Sequence, residues 1–224
     1  MKAPHPSSRR GLTLVEVLVV VAVLFVIWAI FWPTTHGNKA RPERIACVNN
    51  LKNLGLAMRV FSTDHGDKWP MDLSVTNHGT REWLNAPSQL WRHWLSQSNE
   101  LSTPKMVLCP ADKERQPPKP LTWDQITDNS HLSYFLGLDA HEDNPQTLLA
   151  GDRNLTTNGV AVGPGRLLLT TNLILGWTKD LHNRAGNVLL GDGSVQMMSG
   201  DRLHASWRDA AGHAKGGTNV WIVP

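Results

Sequence analysis

Hydrophobic and polar positions follow three regimes along the chain. From Leu12 to Trp32 the residues are apolar, broken only by Thr13 and Glu16. From Cys47 to Phe61, apolar residues recur at four-three-four-three spacing (Cys47, Leu51, Leu54, Met58, Phe61), with Val48 and Gly55 beside them. That spacing predicts an amphipathic helix, resuming near Pro42, a good first-turn residue, and ending at Asp64-His65-Gly66-Asp67. From Lys68 onward, short apolar runs alternate with Gly, Pro and Asn, and no second block of spanning length follows. A short helix is expected within 82–101, with Trp83, Leu90, Trp91, Trp94 and Leu95 inward. Strands are expected at 106–109, 131–137, 147–151, 167–170 and 187–190. Asp192-Gly193, between Val188–Leu190 and Val195–Met197, is a hairpin signal, because Gly supplies positive φ and Asp can bond its own turn. Short strands with Gly and Asn punctuation favour an antiparallel sheet, so the fold class is α+β.

The first apolar block is about 21 residues, or roughly 30 Å as a helix, enough to cross a bilayer's hydrocarbon. A secretory signal would be shorter and end in a small-residue cleavage site; this block ends in Trp28, Ile30, Phe31 and Trp32. Pro33 closes it and kinks the helix, and residues 34–41 read as a loosened joint. Lys2, Arg9 and Arg10 precede the block and Lys39, Arg41 and Arg44 follow it, so charge alone does not orient the span. Glu16 is the exception inside it. A carboxylate there costs about 2–3 kcal/mol and calls for a cationic partner. No Lys or Arg follows within one or two turns, so the partner must come from another chain, from lipid or from a new amine.

The full chain has 224 residues and a formal net charge of +3, too small an excess for a dedicated nucleic-acid binder. Two cysteines exclude a disulfide-dense scaffold and a four-cysteine zinc site. The 10 Trp, against one Tyr and four Phe, are core anchors or a sticky surface. No phosphate loop or nucleophile elbow is present, and residues 72–77 and 204–213 read as polar surface. An enzyme is not expected.

Arg9-Arg10-Gly11-Leu12-Thr13-Leu14-Val15-Glu16, followed by the apolar helix, resembles the prepilin cleavage motif of type IV pilins and type II secretion pseudopilins. The resemblance implies cleavage after Gly11 by a membrane peptidase and methylation of the new N-terminus at Leu12. That family more often has Phe at this position. Glu16 becomes the fifth mature residue, where the family places its glutamate, and Pro33 the twenty-second, where many pilins carry a kinking proline. The implied fold is pilin-like: a long N-terminal helix, transmembrane then amphipathic, packed on a small antiparallel sheet domain. The implied division is a leader at 1–11, an assembly helix at 12–33, its amphipathic continuation at 34–63 and an exported domain at 64–224. Partners implied are identical or homologous subunits, the prepilin peptidase, an inner-membrane assembly platform and membrane lipid, with no nucleic acid. Before assembly the chain would be a single-pass inner-membrane protein, its domain periplasmic or at the cell surface. The alternative is a membrane-anchored binding module that does not polymerise. An anchored hydrolase is a third reading.

Later stretches are similar to a bacterial pseudopilin-like subgroup. They include residues 47–55, 133–139, Leu149-Ala150-Gly151-Asp152-Arg153-Asn154, and His182 followed after nine residues by Asp192-Gly193. His182 and Asp192 could form a metal or catalytic pair, but zinc or calcium needs three or more ligands, and a structural turn is the favoured reading. No cofactor is called for. Some major pseudopilins hold calcium in a C-terminal loop, which makes Asp192, Asp201 or Asp139-Glu142-Asp143 weak candidates. Outside the cytoplasm Cys47 and Cys109 are permitted a bridge, worth roughly 4 kcal/mol by loop entropy; two free buried thiols fit equally well.

Overall fold

The computed structural model describes residues 11, 13–31, 40–115, 120, 122–141, 143–170, 172–213 and 219–224. Leu12, Pro33, residues 34–39 of the expected joint, Glu142 and most of the proline-rich loop at 115–120 lie outside them; residues 40 and 41, expected in the joint, already belong to the helix Ala40–Asp64. The chain divides into two compact units, Met1–Asn38 and Lys39–Pro224.

The first unit contains α1 (Leu14–Phe31). Glu16 is its single polar residue. Val, Leu and Ile side chains from Leu14 to Trp28 are exposed around the whole helix. A helix apolar on every face has no solvent side to present, so water is the wrong medium for it.

The second unit begins with α2 (Ala40–Asp64). The expected stripe is its buried face: Cys47, Leu51, Leu54, Met58 and Phe61 are all sealed from solvent, and Ala57 joins them. Ile45, Leu56 and Val60 point outward. The helix stops where Gly66 and Asp67 turn left-handed and the Asp67 N–H reaches back to the Ser62 carbonyl at 2.8 Å.

The main sheet, among the described residues, has six antiparallel strands: β1 (Tyr134–Gly137), β2 (Leu148–Asp152), β5 (Gly165–Leu169), β7 (Ala185–Leu190), β8 (Val195–Ser199) and β9 (Asn219–Val223). Their order is β5-β9-β1-β2-β7-β8. A smaller sheet joins β3 (Leu155–Thr157), β4 (Val160–Ala161) and β6 (Leu175–Trp177) in the order β4-β3-β6. The large sheet is covered on both faces. Tyr134, Leu136, Leu189 and Ile222 pack with α2. Their neighbours Phe135, Val188, Leu190, Trp221 and Val223 pack with β6 and α4 (Gly200–His213). Strict alternation therefore puts apolar residues on both sides, and the central strands read as continuous apolar runs. One break in the alternation has a local cause. The β2–β7 register shifts between Leu148 and Ala150, and Leu149 and Ala150 both join the α2 side. Phe135 and Trp221 stack at 4.3 Å across the opposite face.

The α+β reading holds: an N-terminal helix is followed by a globular antiparallel-sheet unit. Strands at 131–137, 147–151, 167–170 and 187–190 are present with shifted ends, and the Asp192-Gly193 hairpin joins β7 to β8. Three expectations need correction. Residues 106–109 are not a strand: Thr103 caps Lys105 and Pro104 opens a tight 3-10 turn through Val107. The helix expected within 82–101 shrinks to α3 (Leu90–Leu95), with Leu90 and Trp94 buried. Pro87 breaks the preceding segment into 3-10 turns; half-buried Trp83 and Trp91 sandwich Arg92, and Trp91 also packs against the core. Residues 204–213 are not merely polar surface. They form most of α4, whose Leu203, Trp207 and Ala210 are buried. Strand β9, inserted between β5 and β1, adds a strand beyond those expected from the sequence.

The two faces of α2 make unequal demands. Leu54→Ala should lower unfolding free energy by about 2–5 kcal/mol, and Leu56→Ala by no more than about 0.5 kcal/mol. Denaturant titration of the full chain in detergent, followed by Trp fluorescence, measures both; equal losses would contradict this packing.

Candidate functional site

The functional residues read from the sequence fall in two places, one in each unit. In the first, Gly11 is exposed, and a Cβ added to it would meet nothing within 4 Å. Two residues on, Thr13 caps α1. The Glu16 N–H donates to Thr13 Oγ1 at 3.3 Å, and the Thr13 N–H donates to Glu16 Oε2 at 2.9 Å. Thr13 Oγ1–H also reaches Oε2, at 3.0 Å. This is a reciprocal capping box, in which a carboxylate satisfies N–H groups that the first helical turn leaves open. Glu16 thus has a local partner, Thr13, that is not a cation. The signal was present as Thr-x-x-Glu ahead of an apolar run.

The second place is a buried polar centre in the globular unit. Helix α2 carries Cys47 on its sheet-facing stripe. The turn at Pro104–Val107 delivers Cys109, and the two cysteines are bridged, with Cα atoms 4.9 Å apart. Asn50, one turn further along α2, donates to the Leu108 carbonyl at 2.8 Å and holds the same segment.

His182 arrives from the loop between β6 and β7. Leu181, Asn183 and Arg184 around it all have positive φ, a conformation costly for residues with side chains. Asn154 holds this loop from the other side: its Nδ2 donates to the Asp180 carbonyl at 3.0 Å and to the Ala185 carbonyl at 3.3 Å. His182 Nε2 lies 3.4 Å from Cys109 Sγ and 3.4 Å from Asp152 Oδ2. Asp152, fully buried at the end of β2, is anchored by Asn187 of β7. The Asn187 N–H donates to Oδ2 at 2.6 Å and its side-chain Nδ2 at 2.9 Å. Asp152 Oδ1 has no hydrogen-bond partner among the described residues.

Each residue of Gly151-Asp152-Arg153-Asn154 therefore has a separate task. Gly151 allows β2 and β7 to approach; a Cβ there would sit 2.8 Å from the Asn187 carbonyl oxygen. Arg153 grips buried Asp112 with two bonds, at 2.7 and 2.8 Å, and Glu114 at 2.6 Å. Those carboxylates raise the Arg153 pKa despite its burial.

The signature His182 and Asp192-Gly193 separate in role. His182 enters the polar centre, whereas Asp192 Oδ1 accepts the Ser194 N–H at 2.8 Å and Gly193 has φ of 81°. The carboxylate facing His182 is Asp152. Of the calcium candidates, Asp139 accepts the Val220 N–H at 2.6 Å, and Asp201 lies in the first turn of α4. Asp143 lines a cavity with Asp67, Asp72 and His141.

Cys109, His182 and Asp152 superficially resemble a nucleophilic triad. In such a triad the acid must hold one ring nitrogen while the other serves the nucleophile. Here both contacts fall on Nε2, the sulfur is engaged in a bridge, and all three residues are buried. Burial and Asp112 push the Asp152 pKa up against the Asn187 hydrogen bonds and Arg44, leaving it at about 7. Burial and the Arg44 charge push His182 down to about 4, against Glu43 and Asp112.

Residues 6–30 match the family described as the prokaryotic N-terminal methylation motif. The chain is 31% identical over 82 residues to the type II secretion system core protein G of Klebsiella pneumoniae, covering 37% of this chain and 55% of that protein. To the core protein G of Escherichia coli strain K12 it is 27% identical over 82 residues, covering 37% and 53%. The chain thus spans about half the length of the curated relatives it matches. No solved structure matches it. The resemblance to pilins and pseudopilins is borne out by the motif and by these relatives.

His182 and Asp152 pull stability in opposite directions. Between about pH 4 and 6.5 the unfolded chain protonates His182 and the folded chain does not, so this group makes stability rise with pH. From about pH 4 to about 7 the folded chain keeps an Asp152 proton that the unfolded chain loses, so that group makes stability fall with pH. His93, also pushed down to about 4 by burial, adds a second rising contribution, so the wild type should gain stability from pH 4 to 6.5. Asp152→Asn should steepen that rise and His182→Gln should flatten it, each by up to about 1.4 kcal/mol per pH unit. Urea unfolding across this range reads the slopes, and parallel profiles in the two variants would refute the assignment.

Proposed function

We propose that this chain, which carries the N-terminal methylation motif and resembles the type II secretion core protein G, is a pseudopilin-like structural subunit of a filament. The observation that carries the reading is the first unit: a helix apolar on every side, headed by Gly11 and by the Thr13–Glu16 capping box. The globular unit satisfies its own core, so the outward-facing Val, Leu and Ile of α1 serve something beyond that core.

The Leu12–Trp32 block enters the inner membrane as one span. Among the described residues, no helix is long and apolar enough to cross a membrane; the 18 residues of α1 reach about 27 Å, and the apolar sequence extends beyond them to Leu12 and Trp32. The globular unit is carried on the periplasmic or outer side. Peptidase cleavage after exposed Gly11 leaves an α-amine on Leu12, which the same processing methylates. An α-amine has a pKa near 8 and is charged at neutral pH. Stacked subunits let Glu16 of one chain meet the Leu12 amine of the next. The pair offsets two burial costs that neither charge could bear alone in lipid, and it sets the axial register.

The capping box does not compete with this role. A carboxylate offers several acceptor sites, and Thr13 engages Oε2. Both Thr13 donors survive cleavage after Gly11. The partners that follow from this reading are homologous subunits, the peptidase, an assembly platform and lipid. The role is mechanical, and the chain is not assigned an enzymatic activity. The anchored-module alternative draws no support from these relatives.

Two substitutions separate the cap from the charge. Glu16→Gln keeps an oxygen acceptor for Thr13 and loses the charge; Glu16→Val loses both, with a local cost of about 1 kcal/mol. N-terminal mass spectrometry of membrane material should find a methylated Leu12 terminus in the wild type and in Glu16→Gln. Cross-linking should find oligomers in the wild type alone. Wild-type oligomer yield from Glu16→Gln would remove the charge-pairing account and leave Glu16 a helix cap.

A further inference from the structure

We propose that the bridged cysteines mark a redox-gated zinc site, in which Cys47, Cys109, His182 and Asp152 hold one zinc ion when the bridge is reduced. This is independent of whether the chain forms a filament.

The donors already converge. Cys47 Sγ, Cys109 Sγ and one ring nitrogen of His182 all lie within 4.8 Å of one another, and all three residues are buried; Nε2 is 3.4 Å from Cys109 Sγ. Asp152 Oδ2 lies 3.4 Å from the same Nε2. Ordinary zinc–ligand distances give a tetrahedron whose edges are roughly 3.3 Å between nitrogen and oxygen and 3.6 Å between nitrogen and sulfur. The observed separations from His182 to Asp152 and to Cys109, both 3.4 Å, are close to those edges. The sulfur–sulfur edge does not fit, because a covalent bond occupies it. Reduction would let the sulfurs part to roughly 3.8 Å, and two thiolates with an imidazole select zinc over magnesium or calcium.

The surroundings suit an ion. Asn187 orients the Asp152 carboxylate with two hydrogen bonds, as ligating carboxylates are commonly held. Two thiolates, one carboxylate and Zn2+ sum to one negative charge. Arg44 supplies the compensating positive charge: its field acts on both Asp152 and His182, and its buried Nε has no hydrogen-bond partner among the described residues. The loop bearing His182, with left-handed residues at Leu181, Asn183 and Arg184, is the strained element beside the bridge.

The chemistry balances with a dithiol as reductant. One dithiol thiolate attacks the bridge, forming a mixed disulfide and releasing one cysteine. Its second thiol then closes a disulfide within the reductant and releases the other. Two electrons pass from the dithiol to Cys47 and Cys109, which end as thiols. Zinc then displaces the two thiol protons, and any proton still on Asp152, to solvent as the ligands coordinate. A disulfide oxidant reverses the sequence: it takes the two electrons from the thiolates, becomes a dithiol, re-forms the Cys47–Cys109 bridge and expels the ion.

The test uses the full chain in detergent micelles, reduced anaerobically, freed of reductant and titrated with Co(II) as a spectroscopic probe for zinc. The reduced wild type should take up one Co(II) per chain, with a sulfur-to-cobalt charge-transfer band and strong tetrahedral visible bands. One equivalent of Zn(II) should displace it, and the oxidised chain should take up none. Cys47→Ser with Cys109→Ser should abolish the charge-transfer band. His182→Gln and Asp152→Asn should weaken binding by about 10- to 100-fold or more. Both of these variants keep the bridge, so circular dichroism before reduction establishes that each is folded. If the reduced wild type unfolds, recovery of its native spectrum on adding zinc supports the site, and failure to recover overturns it. A reduced chain without the charge-transfer band, or undiminished affinity in His182→Gln, also overturns the proposal.

Discussion

The globular unit depends on one packing constraint: the apolar stripe of α2 must lie flat on the main sheet. Cys47, Leu51, Leu54 and Met58 occupy that contact and share one core with Tyr134, Leu136, Leu189 and Ile222. Burial of this kind scales with apolar area removed from water, and each large side chain contributes about 1.5–3 kcal/mol. Once α2 is seated, Cys47 meets Cys109, Asn50 meets the Leu108 carbonyl, and the turn after Thr103 is held in place. The second core, built from α4, β6 and the opposite face of the sheet, completes the cover. A sheet wrapped on both faces has little freedom of register, because a one-residue slip would exchange the contents of the two cores.

The polar centre is the expensive part of this arrangement. A carboxylate at the end of β2 is sealed from water, and its own pKa moves up as a result. It is tolerated because Asn187 satisfies one oxygen twice and Arg44 adds a positive field. Asn154 and the three left-handed residues then force His182 toward it. Strained backbone of this kind persists only where surrounding structure overdetermines it. Here the overdetermining groups belong to sequence motifs that stand far apart along the chain.

The first unit obeys a different rule. Its helix has no protein core of its own among the described residues, and its stability in isolation comes from local hydrogen bonds. The Thr13–Glu16 box supplies the first of these, so the acid proposed for an intersubunit charge pair also begins the helix.

Periodicity and local chemistry determined a good deal. The stripe from Cys47 to Phe61, the turn at Gly66, the hairpin at Asp192-Gly193 and the apolar block before Pro33 follow from side-chain spacing and backbone preference, which act over a few residues. Thr-x-x-Glu is equally local: its capping box links residues three positions apart and needs no cation. Pro87 and Pro104 defeated the helix and strand expected near them, since a proline's missing N–H ends regular ladders at once. Tertiary structure alone decided the rest. Strand β9 belongs between β5 and β1 because its Trp221 and Ile222 fill opposite cores. The polar α4 is a helix because Leu203, Trp207 and Ala210 find a face to cover. The pairing of His182 with Asp152, in place of Asp192, depends on where β2 and β7 meet. Such contacts join residues tens of positions apart, and no local preference encodes them; they exist only once the chain has closed on itself.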